Sequence, residues 1–404
     1  MKLLWTHAQG ISNALPLTLL LITLALLTTG VTKTTAQDSR LNKLPALLRQ
    51  LDDDDSDKRM KAAQEIAKLG PQAMSAAPAL IELLDDKSLN SDGERVASYY
   101  SQALAALGPL VVPKLIDQLS TNDSFRLAGV CEALHQLGTD ASPAVKVLVP
   151  KLDEADNNEL WAYSYVFEGV GPQAAPAVPN LIKQLESTDF QLQVITCRAL
   201  AAIGPAAKAA CPGLLVQLDE GNLSVKGHAA LALGSIGVQP GLEIPEKLAT
   251  ALEHPHYVVR ERTLEGIGRL GKNAKSILPV LEKYMEDKKF NAPVDVALAY
   301  FRIGGKAETS LKRLSEIASH YQNELEAIVA IGKMGPAAAP VIPMLLEKLD
   351  SEDPDVAYEA CFALAAIGDP QPKILEKLEQ TSKSDDDFLA TGARQAAAKL
   401  RGSK

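Results

Sequence analysis

The 404-residue chain holds one string with the spacing of a nucleotide-binding loop, Gly266-Ile267-Gly268-Arg269-Leu270-Gly271, which reads GxGxxG. Such a loop grips a pyrophosphate when a strand leads into it and a helix starts from it, because the unpaired N–H groups at the helix start do the binding. Here a helical pattern precedes the string, so its glycines are expected to serve packing. Cys131, Cys197, Cys211 and Cys361 are the candidates for redox or metal chemistry. None forms a CxxC pair, which leaves a zinc ribbon or a thioredoxin-like site without support. His254 and His256 flank Pro255, but a zinc site needs a third ligand and none is obvious nearby. The acidic runs Asp52 to Asp55 and Asp385 to Asp387 lack the ordered oxygen spacing of a calcium loop and read as helix caps. No HExxH, GxSxG or phosphate-loop string occurs. The expectation is a protein that is not an enzyme, with no catalytic residue, metal or cofactor.

The elements that position these residues emerge from an internal repeat. A Gly after an aliphatic residue or Met recurs at 70, 108, 138, 171, 204, 237, 271, 304, 335 and 368, and Gly402 closes one more unit. Most spacings are 33 or 34 residues; the 38 before Gly108 is explained by extra turn residues around Lys87 to Arg95. A fixed period of this length is the mark of a stacked array, which needs no single closed core. Before each Gly, apolar residues stand eight, four and one places back, as Ala360, Leu364 and Ile367 do, which is one face of a helix. Five places back the residue is small in most copies, so that a neighbouring helix can approach closely. The Gly suits a helix end that needs positive φ. Eight residues past it stand Pro78, Pro179, Pro212, Pro245, Pro279 and Pro343, in the first turn of the helix that follows. The prediction is an all-α, right-handed α-solenoid of about eleven helix pairs. Cys131, Cys197 and Cys361 fall where sister copies hold Ala63, Ala230 and Ala297, so they are expected to be core residues rather than disulfide partners.

Ahead of the repeats, Lys2 precedes the apolar run from Leu15 to Val31, and Thr34-Thr35-Ala36 offers small residues for a peptidase. That is the layout of a secretory signal, so residues 1–36 are expected to direct export and 37–404 to form the solenoid; an uncut membrane anchor is the alternative. The location expected is periplasmic or extracellular. Past residue 36 no apolar run long enough to span a bilayer is expected, and Asn122 and Asn222 head glycosylation sequons. The formal charge is −9, and a chain cut after Ala36 loses Lys2 and Lys33 with no acid, giving −11. This acidity disfavours nucleic acid as a partner, because phosphate contacts require many Lys and Arg.

Segments such as DPDVAYEACFALAAIGDP and HPHYVVRERTLEGIGRLG resemble HEAT repeats, and most of all the short type found in phycobilisome and bilin lyase proteins. The family's recurrent Arg near the start of the second helix is matched at Arg59 and Arg260, and as Lys at Lys226. Ala357, Gln193 and Leu160 stand there instead in other copies, so the usual ladder of Arg and Asp is expected to be broken. The resemblance implies a monomeric protein-binding scaffold, with the second helices on the concave side; bilin-lyase-like chromophore attachment is the alternative it allows. Exposed positions on those helices read Tyr99, Tyr165, Arg198, His228, Arg262, Arg269, Arg302 and Lys333, interrupted by Glu132, Glu265, Asp295, Glu326 and Glu359. This mostly basic run on an acidic chain is the expected grip for an acidic or extended protein segment.

Overall fold

A computed structural model describes residues 42–287, 290–320 and 323–402, and among them it contains helices, turns and one isolated bridge, Leu89 to Arg95, but no strand. The helices form two compact units that part after Gln136. The first holds α1 (Leu44–Gln50), α2 (Ser56–Leu69), α3 (Ala77–Glu82), α4 (Val96–Ala106), α5 (Val112–Asp117) and α6 (Ser124–Leu137), whose last residue lies at the division. The second holds α7 (Ser142–Leu148), α8 (Asn157–Val170), α9 (Val178–Gln184), α10 (Phe190–Ile203), α11 (Cys211–Glu220), α12 (Leu223–Ile236), α13 (Ile244–Ala251) and α14 (Tyr257–Leu270). It continues with α15 (Leu278–Glu286), α16 (Pro293–Arg302), α17 (Ala307–Ala318), α18 (Glu324–Lys333), α19 (Ile342–Lys348), α20 (Pro354–Ile367), α21 (Pro372–Thr381) and α22 (Asp387–Gly402). These are eleven pairs, each even-numbered helix being the second member, and the chain is an all-α solenoid. The export segment read at residues 1–36 lies outside the described residues.

The repeat register accounts for how each pair is built. The ten glycines from Gly70 to Gly368 all take positive φ, between 56° and 100°, where a side chain would be strained. Contrary to the expectation for the chain past residue 36, the helical stretch Phe190–Glu220 is long and apolar enough to cross a membrane by length and composition. The turn at Gly204 breaks it into α10 and α11, which carry core residues of the stack. Pro78, Pro179, Pro212, Pro245, Pro279 and Pro343 all occupy the first turn of their helix, where the missing N–H costs no hydrogen bond. Side chains of Asp55, Asp156, Asp189, Asn222, His256 and Asp353 cap the second helices. Within the second unit α8, α10, α12, α14 and α16 pack each on the next, as do α18, α20 and α22. Their small positions are closed to solvent: Ala199, Ala232 and Ala299 are all buried, as are the four unpaired cysteines. Burial pushes the Cys197 and Cys361 thiols up to about 12, so they act as small core side chains rather than nucleophiles.

The GxGxxG string is a contact between helices. A Cβ placed on Gly234 of α12 would stand 2.2 Å from the Gly266 carbonyl oxygen, and one on Gly266 would stand 2.4 Å from that of Ala230. Only glycine permits this approach of α12 to α14.

Candidate functional site

Four of the eight residues read from the sequence as a grip meet in the second unit. Arg198 on α10, His228 on α12, and Arg262 and Arg269 on α14 line one 270 Å³ cleft together with Glu168, Ala201, Ala202 and Leu231. They reach it because equivalent positions on successive second helices share one face. The Arg262 stem lies along Gly227, where a Cβ would come within 3.1 Å of its Cγ, and the Arg302 stem lies along Gly268 in the same way. Glycines beneath the arginines let long aliphatic stems cross the neighbouring helix and present their charged heads.

The cations in the cleft are unequally neutralised. Arg198 pairs with Glu168 at 2.9 Å. Arg269 pairs with Glu265 at 2.7 Å and donates to Ser235 Oγ at 2.7 Å. Arg262 has only a 3.7 Å contact with the same Glu265, whose carboxylate Arg269 already holds. His228 Nδ1 lies 2.8 Å from the Ser224 carbonyl oxygen. A carbonyl only accepts, so Nδ1 carries the proton and Nε2 is the free position of the ring. Burial holds this imidazole below its ordinary pKa, and the Arg262 and Arg198 charges add to that, against the Ser224 carbonyl and Glu168. Glu168 Oε2 is enclosed and has no donor.

The other four residues lie outside this cleft. Tyr99 belongs to the first unit, where its hydroxyl donates to Glu94. Tyr165 stacks on Trp161, one turn away on α8, with ring centroids 5.4 Å apart. Arg302 and Lys333 are exposed on α16 and α18, and Arg302 has no ion pair among the described residues. Asp295 lies on α16 with Arg302, and its carboxyl is pushed up to about 6 by burial and the nearby Glu261, against Lys333.

Sequence reasoning missed Glu168, Trp161 and Ser235. Glu168 carried a visible mark: it stands three places before its repeat Gly, where most sister copies hold a small residue, such as Ala67, Ala201, Gly234, Gly268, Gly332 and Ala365, while others hold His135 and Phe301. The expected break in the ladder is only partial. Arg59 donates to the Asp53 carbonyl at 2.7 Å and pairs with Asp86, while Arg260 donates to the carbonyls of His254 and Pro255. Lys226 does the same to Leu218 and Asp219, and Gln193 to Leu185 at 3.0 Å. Lys226 and Gln193 thus close the end of the preceding helix, while Arg59 and Arg260 hold the turn that follows it, and all four are structural. His254 and His256 likewise use Nδ1 to accept turn N–H groups.

Residues 307–398, which span α17 to most of α22, match the family of HEAT repeats. No curated protein matches the chain. Among solved structures, importin beta is 14% identical and superposes with a TM-score of 0.52, covering 89% of this chain and 57% of its own. The karyopherin Kap121p, solved bound to the extreme C-terminus of the protein phosphatase Cdc14p, is 17% identical with a TM-score of 0.54, covering 88% of this chain and 48% of its own. The chain thus spans about half the length of the solved chains it matches. At such identities the likeness is one of fold.

Proposed function

We propose that this chain, a HEAT-repeat protein, is a non-enzymatic binding scaffold that grips an acidic, extended segment of a partner protein along the concave face formed by its second helices. The observation that supports this most is the convergence of Arg198, His228, Arg262 and Arg269 on one cleft in a chain of net charge −9. A basic cleft on an acidic molecule selects partners by charge and repels like copies of itself. Arg302 and Lys333 extend the grip toward α18, and the stacked Trp161 and Tyr165 offer an aromatic surface on α8. Aromatic and Arg side chains are the types that anchor protein interfaces.

The apolar run Leu15 to Val31 and the small residues Thr34 to Ala36 favour action outside the cytoplasm, in a periplasm or beyond the cell, with the segment cleaved or retained as a tether. N-terminal sequencing of the chain from its own cells tests this, with Gln37 expected as the first residue.

The binding role is tested by crosslinking and mass spectrometry in native cells, comparing the wild type with a variant carrying Arg262→Glu, Arg269→Glu and Arg302→Glu. Crosslinks from the faces of α10 to α18 to an acidic partner segment are expected in the wild type and are lost in the variant. Unchanged crosslinks with all three charges reversed overturn the proposal.

A further inference from the structure

We infer that the cleft between α10 and α14 is a proton-gated carboxylate clamp, in which Arg262 and the Nε2 of His228 together take a Glu or Asp side chain of the partner segment. This rests on the proposed binding role and specifies its chemistry.

Charge balance around the cleft singles out these two groups. Glu168 holds Arg198, and Glu265 is held by Arg269 at 2.7 Å, which leaves Arg262 the least neutralised guanidinium. Its stem is pinned over Gly227, which belongs to the same helix as His228 and directly precedes it. One guanidinium with one ring nitrogen matches a singly charged carboxylate.

The gate follows from the tautomer. The Ser224 carbonyl keeps the proton on Nδ1, so the neutral ring offers a lone pair at Nε2, which repels a carboxylate. Only the imidazolium presents an Nε2–H donor there. Charged groups face His228 from each side: Arg198 on α10, Glu168 on α8, and Arg262 on α14. In the free protein the two arginines oppose protonation. A bound carboxylate neutralises part of their field and accepts from Nε2–H, so it favours the imidazolium. Binding then takes up a proton, and by linkage affinity rises as pH falls. His228 lies on α12, which packs closely on α14 at Gly234 and Gly266.

The test is fluorescence anisotropy of the full chain with a labelled hepta-glutamate peptide and its hepta-glutamine counterpart, at about pH 8 and about pH 5.5, where glutamate stays largely ionised. The wild type is expected to bind only the glutamate peptide, several-fold more tightly at the lower pH, with about tenfold the limit that a rise of about one unit in the imidazole's pKa on binding allows. His228→Gln, which keeps a neutral donor near Nε2, binds with the same affinity at both pH values. Asp295→Asn, which removes the buried carboxyl raised into this range, retains the pH response, and Arg262→Ala weakens binding at both. A wild-type affinity that is equal at the two pH values, or a pH response that survives in His228→Gln, overturns the clamp. Absence of hepta-glutamate binding also overturns it. The scaffold reading is judged separately, by whether charge reversal abolishes the native crosslinks.

Discussion

Asp295 sits in the basic stripe with its carboxyl raised to about 6, because burial and the neighbouring Glu261 both oppose its charge. An acid whose folded pKa exceeds its unfolded one binds more protons when folded, so stability falls as pH rises from near 3.8 through about 6 and the full penalty remains above that. Asp295→Asn is therefore expected to stabilise the protein by on the order of 2 kcal/mol at neutral pH and hardly at all near pH 4. Thermal melts at the two pH values check this. Glu168 behaves in the opposite sense, because it neutralises Arg198. Glu168→Gln adds one uncompensated cation to the cleft, and tighter binding of an acidic peptide is expected. These roles had different visibility before the fold was known. Arg198, His228, Arg262 and Arg269 could be placed on one face from the repeat register alone. Their unequal neutralisation could not, since Glu168 and Arg198 lie 30 residues apart and meet only through helix packing.

At the scale of the helix pair, α12 and α14 cross so closely that glycine is required at their contact. Gly266→Ala puts a methyl group within reach of the Ala230 carbonyl and forces the helices apart. The expected cost is about 1–3 kcal/mol, typical of overpacking, and circular dichroism melts read it directly. Arg260→Ala leaves the turn carbonyls of His254 and Pro255 without their donor, with an expected loss of about 1–2 kcal/mol. Much at this scale was legible, because glycine, proline and capping residues act through backbone geometry that does not depend on distant partners. Ten glycines with positive φ and six prolines in first turns follow the register closely. Gln193 shows where that legibility stops. It differs from Arg and Lys in charge and size, yet its amide reaches the Leu185 carbonyl and closes the helix as Lys226 does elsewhere. The division after Gln136 was equally hidden, since the repeat pattern runs across it without a linker.

For the whole molecule, net charge opposes the proposed interaction while local charge favours it. The basic cleft lies on a chain of charge −9, so an acidic partner is attracted only at short range. Affinity for an acidic segment is expected to fall as salt is raised from about 0.01 M to about 0.15 M, over which the Debye length shrinks from about 30 Å to about 8 Å. A titration of peptide binding against sodium chloride tests this. The four buried thiols bear on biogenesis. All are unpaired in the folded chain, and three occupy positions that sister repeats fill with alanine. On the export proposed above, a chain that crosses a membrane unfolded and enters an oxidising space would expose them to oxidants before they are covered. Maturation then becomes a race between closure of each pair over its cysteine and capture of that cysteine in a wrong disulfide. Replacing all four with alanine removes the contest, and a higher yield of folded protein from an oxidising compartment, but not from a reducing one, is the expected outcome.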